Sequence, residues 1–275
     1  MLGTDCFAPL RVTKHRLQRH CCRLCYNNIE PTMNRFFVPK DWLSGDVVSL
    51  KDEPAHQVCH VLRLKPADRI IVLDNSGWEY EVALEKLSAD QVQGKVLKKE
   101  ISPGEPKLKI TLFQALLKAD KFEFVLQKGV ELGVSAFVPF VSERCVVKRP
   151  AENKVQRWQK IVREAAEQSE RGLLPTLYPV VSFREACDRT ARPAILLWEE
   201  EKSQRLRDVL KQQSFLNAKS LSLFIGPEGG FPAEEVRYAE SKGIVTASLG
   251  RRVLRAETAG LAAVSAILYA VGELG

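Results

Sequence analysis

Residues 221–272 read LSLFIGPEGGFPAEEVRYAESKGIVTASLGRRVLRAETAGLAAVSAILYAVG. Two glycine-containing loops lie in this stretch, at 226–230 and 250–258. Each follows a short apolar run, 221–225 and 244–249, and each leads into a segment with helical spacing. Two strand–loop–helix units in succession predict an α/β sheet with a ligand site at its strand ends.

The first loop, Gly226-Pro227-Glu228-Gly229-Gly230, has neither the Gly-Lys-Ser/Thr of a P-loop nor the GxGxxG of a dinucleotide site. The next helix opens Pro232-Ala233-Glu234-Glu235, with proline and two acids in its first turn. Those acids complement the helix dipole and disfavour phosphate, as does Glu228. Such a loop suits an uncharged or cationic ligand held by main-chain hydrogen bonds. An adenosine-type sulfonium such as S-adenosylmethionine fits; the alternative is that both loops are only tight helix-entry turns. The second loop carries Arg251, Arg252 and Arg255 beside the same place, with Arg255 and Glu257 spaced to pair. The apolar helix after it predicts a buried element that holds these arginines at the pocket mouth.

Outside this stretch, a Pro/Gly-rich segment, Glu100-Ile-Ser-Pro-Gly-Glu-Pro-Lys107, is read as a domain linker. The organisation expected is an extension at 1–32, a β-rich domain at 33–100, a linker at 101–107 and an α/β domain at 108–275. Within 33–100, five short apolar runs and one helical segment near 54–64 predict a small barrel, an architecture that grips RNA through a face and its loops. Arg35, His56, His60 and Arg63 form either an RNA-facing patch or an ordinary polar surface. Phe36, Phe37, Trp42, Trp78 and Tyr80 either stack bases or fill the barrel core. After 108, continuous apolar strands alternate with helices, as in a parallel sheet covered on both faces. A helix over 153–170 should turn Val155, Trp158, Ile161 and Val162 inward, leaving Lys154, Arg157, Lys160 and Arg163 as a basic row.

Lys and Arg number 41 against 34 Asp and Glu, a net charge of +7 that points towards a polyanionic partner. Four of the seven cysteines fall in residues 1–32 and the other three are scattered, which favours a reducing, cytoplasmic setting over a disulfide scaffold. The basic leading segment is read as a tail, an upstream start before Met33 or an organellar targeting peptide. Its Cys22-Arg-Leu-Cys25 spacing lacks the second pair that a zinc site needs, and no metal is expected. The longest apolar run, 259–272, is too short to span a bilayer.

The segments GPEGGF (226–231), LGRRVLRAETA (249–259), SERCVVK (142–148), KGVELGVS (128–135) and HVLRLKPADRIIVLD (60–74) resemble the RsmE family. These are bacterial 16S ribosomal RNA uracil-N3 methyltransferases of the SPOUT class, and the likeness runs from Met33 to the C-terminus. The resemblance implies an N-terminal PUA-like β-barrel and a C-terminal α/β SPOUT domain with a parallel sheet and a deep trefoil knot. It implies a homodimer acting on the small ribosomal subunit, without a membrane. It further implies S-adenosylmethionine held by Leu197, Trp198, Gly226, Glu228, Gly229, Gly230, Leu249, Gly250 and Leu254. Catalysis would rest on Arg255 as a cation for the developing uracil anion and on Glu228 or Glu257 as proton acceptor. Arg35, His56, Arg63, Arg144 and Arg255 would hold RNA. Two other readings remain open: methylation of a different RNA, and a non-catalytic knotted RNA-binding protein. The chain has Ala256 where the family often has threonine, a change of one hydroxyl.

Overall fold

A computed structural model describes residues 33–88 and 90–275, and the expectations for residues 1–32 lie outside them. The first sheet comprises β1 (Asn34–Phe37), β2 (Leu43–Ser44), β3 (Val47–Lys51), β4 (Arg69–Leu73), β5 (Trp78–Leu87) and β6 (Gln91–Ile101), with α1 (Asp52–His56) between β3 and β4. Its order is β1-β4-β5-β6-β3-β2, antiparallel except for the parallel pair β1 and β4. Five of these strands answer to the apolar runs in the sequence. The sixth, β2, is two residues long and too short to carry an alternation. Phe36 and Phe37 are buried, so they belong to the core and not to a base-stacking surface, whereas Trp78 is 38% exposed.

The second sheet comprises β7 (Lys109–Ala115), β8 (Ala136–Val141), β9 (Thr176–Leu177), β10 (Val181–Ser182), β11 (Ala194–Leu197), β12 (Ser220–Ile225) and β13 (Val245–Ala247). Every pairing in it is parallel, in the order β10-β8-β7-β12-β11-β13, with β9 also on β8. The connecting helices are α2 (Lys121–Glu131), α3 (Glu152–Gln168), α4 (Phe183–Arg189), α5 (Leu206–Val209), α6 (Gln213–Leu216), α7 (Ala233–Ser241) and α8 (Ala256–Ala270). Parallel strands covered by helices bury both faces, which is why these strands read as continuous apolar runs. The short β9, β10 and α4 had no long periodic run to reveal them. An N-cap does mark α4: the Ser182 hydroxyl accepts the Glu185 N–H at 3.2 Å.

Asn34–Gly275 forms one compact unit. One apolar core runs through it, joining Phe37, Ile71 and Leu73 of the first sheet to Leu126, Trp158 and Val162 of the helices on the second. A second core is aromatic: Phe113, Phe140, Phe183, Phe224 and Phe231 pack together on the other face of the parallel sheet. The 100–107 segment is fastened by Glu105, which accepts from Arg171, itself only 2% exposed, through two guanidinium nitrogens at 3.1 and 2.8 Å. The basic row of α3 is largely taken up within the fold. Arg157 pairs with Glu123, Lys160 pairs with Glu53, and Arg163 donates to the Phe37 carbonyl. Val155, expected inward, is 37% exposed because the apolar stripe of α3 is narrower than the spacing suggested.

Phe37, at the end of β1, is clasped by α3 on both backbone groups. Its N–H donates to Glu167 Oε1 at 3.0 Å, and its carbonyl accepts from Arg163 Nη1 at 2.9 Å. Burial pushes the Glu167 carboxyl up from an ordinary 4.5 to about 7, against the lowering effects of the Phe37 N–H and the Arg163 charge. A carboxyl whose pKa is raised on folding adds stability that is complete below its unfolded value and is lost as pH rises through its folded value. Between about pH 5 and 8 the parent protein should therefore lose about 2–3 kcal/mol relative to Glu167→Gln, which keeps the acceptor oxygen but cannot ionise. Urea unfolding of both proteins across that range measures the difference; parallel pH curves would contradict the assignment.

Candidate functional site

Leu197 pairs with Ile225 on one side and with Ala247 on the other, so β11, β12 and β13 end at one level. The segments that leave these ends enclose a cleft of about 400 Å³. Leu197, Trp198 and Glu199 form its β11 wall, residues 225–228 and Gly230 its β12 wall, and residues 248–256 its third side. The three separate sequence segments expected to hold a ligand thus meet in one place.

The first loop is shaped from below. Phe231 is 1% exposed and stacks on Phe140 at 6.2 Å between ring centroids and 7° between planes. A side chain at Gly226 would meet the Phe231 ring at 3.0 Å, so glycine lets the backbone cross this ring. The Gly230 N–H closes a turn on the Pro227 carbonyl at 3.0 Å. In the second loop, Gly250 has φ +115°, a conformation that side chains disfavour, and this turns the chain out of the sheet before Arg251.

The loop of residues 142–148 supports this wall from outside. Glu235, in the first turn of α7, accepts from the Ser142 hydroxyl at 2.6 Å and from the Glu143 N–H at 3.0 Å. Arg144 then donates to the Gly229 carbonyl at 3.0 Å. Glu201 pins the segment after β11, accepting from Ser203 and the Gln204 N–H and from the Thr246 hydroxyl. The Ser203 hydroxyl and its other donors hold the Glu201 carboxyl below its ordinary range. Cys187, by contrast, is pushed up to about 12 by burial, and burial also raises Cys145. Neither thiol has the lowered pKa and exposure of a reactive cysteine.

Of the residues singled out in the sequence, Leu197, Trp198, Gly226, Glu228, Gly230, Leu249, Gly250, Leu254 and Arg255 line the cleft. Gly229 lies behind it, with its carbonyl on Arg144. Arg255 is exposed at the start of α8 and does not pair with Glu257 as expected. Glu257 faces Lys121 Nζ instead, at 3.3 Å, because the first turn of α8 points its side chain towards α2. Arg35 is withdrawn from the surface patch expected of it: it forms a 2.5 Å ion pair with Glu79, with the two side chains 8% and 9% exposed. His56 and His60 stay exposed, with ring centroids 4.8 Å apart. Arg63 lies beyond the helical turns at φ +54°, so it does not continue their face. The cleft position of Lys121, next to Glu228 as well as Glu257, had no signal in the sequence beyond a lysine at a helix start.

The cleft suits an adenosine-sized ligand. Its walls combine apolar side chains and main chain with four cations, Lys121, Arg251, Arg252 and Arg255, and two acids, Glu199 and Glu228. The buried indole Nε1 of Trp198 has no hydrogen-bond partner among the described residues, a donor left for something else. Residues 104–268 match the family model of the RNA methyltransferase domain, and residues 50–97 match that of the RNA methyltransferase PUA domain. The chain belongs to the ribosomal RNA small subunit methyltransferase E family. It is 36% identical over 247 residues to the family member from Bacillus subtilis, covering 86% of this chain and 96% of that one. It is also 36% identical to the Synechocystis member, over 85% of this chain and 78% of the relative. Among solved structures it is similar to the family member from Neisseria gonorrhoeae bound to S-adenosyl methionine, with TM-score 0.78 and 32% identity over 86% and 98% of the two chains. A Legionella pneumophila methyltransferase in complex with the same cofactor gives TM-score 0.79 at 31% identity, over 87% and 98%. Both solved structures thus share the fold of this chain.

If Phe231 sets the first loop, Phe231→Ala should cost about 3–5 kcal/mol of unfolding free energy. It should also speed hydrogen exchange at the amides of 226–230 more than at the amides of β8. A uniform change over both would mean that the ring supports the core alone.

Proposed function

We propose that this protein transfers a methyl group from S-adenosylmethionine to N3 of a uridine in 16S ribosomal RNA, giving 3-methyluridine in the small subunit. Methyl transfer from S-adenosylmethionine to small-subunit ribosomal RNA is the activity of its family. The observation that carries the finer reading is the meeting of GPEGG and LGRRVLRAET at one cleft, with Arg251, Arg252 and Arg255 on its side. Bound there, the cofactor supplies an electrophilic methyl on a sulfonium. Leu197, Trp198, Leu249 and Leu254 offer apolar surface to an adenosine, and main-chain groups of the loops offer hydrogen bonds. The three arginines approach a polyanion from outside. Uracil N3–H is used in base pairing, so the base must enter unpaired or flipped out. Arg255 stabilises the negative charge that develops on the base, and a carboxylate, Glu228 or Glu257, takes the N3 proton. Arg144 and the exposed His56 and Arg63 serve as outer RNA contacts.

The same reading includes a trefoil knot and a homodimer. Support for the knot is that β13 lies beyond β11 while α8, which follows it, packs back on β12 and β7. Support for the dimer is the outer side of α8. This helix was expected to be wholly buried, yet Ala266 is exposed and Tyr269 is 72% exposed. Phe124 of α2, which packs on α8, is 45% exposed. A second copy would cover this apolar side. With ribosomes as substrate, the cytoplasm is the proposed place of action.

Purified protein with labelled S-adenosylmethionine should label small subunits from a strain lacking this activity, and mass spectrometry should map the product to 3-methyluridine. Arg255→Ala should lower the rate by on the order of 100-fold. No transfer, or a methyl group on another RNA, would refute the reading. Light scattering should give twice the 30.9 kDa chain mass for the parent, and a monomer for Ala266→Arg.

A further inference from the structure

Lys121, the first residue of α2, reaches into the cleft wall and meets two carboxylates there. Its Nζ lies 3.6 Å from Glu228 Oε1 in the first loop and 3.3 Å from Glu257 Oε2 in the first turn of α8. The two acids are not equivalent. Glu228 lines the cleft and its side chain is 27% exposed. Its Oε1 also accepts the Lys118 N–H at 3.2 Å, while among the described residues nothing donates to its Oε2. Glu257 is only 13% exposed, and its Oε2 is buried without a hydrogen bond, so its contact with Lys121 is charge attraction away from hydrogen-bond geometry. Lys121 is 36% exposed and could turn to water, but Glu257 would then stand nearly buried with no counter-charge, and that cost holds the ammonium beside it.

We infer that Glu257 and Lys121 are positioning residues and that Glu228 is the proton acceptor. Glu257 fixes the Lys121 ammonium. Lys121 and the Lys118 N–H together hold Glu228 through Oε1. Oε2 is thereby the free acceptor on the cleft wall. This assignment rests on the methyltransferase reading above and decides between the two acids it leaves open. The clamp also joins three elements distant in sequence, α2, the 226–230 loop and α8, so the acceptor is held in register with both loops.

The experiment combines Lys121→Met, Lys121→Arg, Glu257→Gln, Glu228→Gln and the double variant of Lys121→Met with Glu257→Gln. In the protein free of cofactor, Lys121→Met and Glu257→Gln should each speed exchange of the Lys118 amide about 10-fold, and Lys121→Arg should restore its protection. Their losses should not add in the double variant, since both break one chain of contacts. In methyl transfer, Glu228→Gln should lower kcat by about 100-fold or more, and Lys121→Met and Glu257→Gln by about 10-fold. Calorimetry should find S-adenosylmethionine affinity within about threefold of the parent in Glu257→Gln, which lies outside the cleft lining, so the loss there lies in kcat. Additive effects, an unchanged Lys118 amide, or a Glu257→Gln defect as deep as that of Glu228→Gln would overturn the assignment. A parent that methylates no small-subunit substrate would refute the methyltransferase reading and the acceptor role together. The Lys118 amide and the double variant would still judge the clamp by itself.

Discussion

Leu197 sits between Ile225 and Ala247 in a parallel ladder, and this register is the constraint on which the site depends. It makes three strands stop together, so three loops from distant parts of the chain must leave the sheet side by side. Strand pairing does not choose what those loops hold. It places their main-chain groups around a shared space and leaves side chains such as Trp198, Glu228 and Arg255 to give that space its chemistry. The same architecture explains why acids and arginines coexist here. The acids belong to the loop interior and first helical turns, where dipoles and backbone donors favour them, and the arginines belong to the exposed rim.

The aromatic core beneath the first loop and the apolar core on the other face have different tasks. Phe231 is part of the loop sequence and part of the core, so loop shape is tied directly to packing against Phe140 and Phe183. On the other face, one core passes without interruption from the parallel sheet into the first sheet through Phe37, Ile71 and Leu73. The hydrogen bonds around Phe37 and the buried Arg171–Glu105 pair reinforce this continuity. The β-rich part is therefore held against the α/β part by the same packing that holds each together.

Much of this was legible in residue pattern. The continuous apolar strands expected after residue 108 appear as β8, β11 and β12, because strands buried on both faces have no polar alternation to obscure them. The two glycine loops were legible because their residues answer local demands: a close crossing at Gly226, a positive φ at Gly250. Charges were less legible. Arg35 looked like a surface cation, yet it is buried against Glu79, 44 residues away. Arg255 and Glu257 are neighbours in sequence and part company in space, since successive helix-start residues point in different directions. The basic row on α3 was legible from its spacing, but partners from α2, α1 and β1 take most of it up.

The sequence by itself determined the succession of strands and helices, the loops that carry glycine and arginine, and the family. These follow from local rules: apolar periodicity, turn chemistry, and motifs whose residues lie within a dozen positions of one another. Only the tertiary structure decided which charges meet. Lys121 stands more than a hundred residues before Glu228 and Glu257, and nothing local to any of them announces the contact. Electrostatic partners are set by distances of a few ångströms across separate elements, and those distances exist only once the sheet has brought its strand ends together.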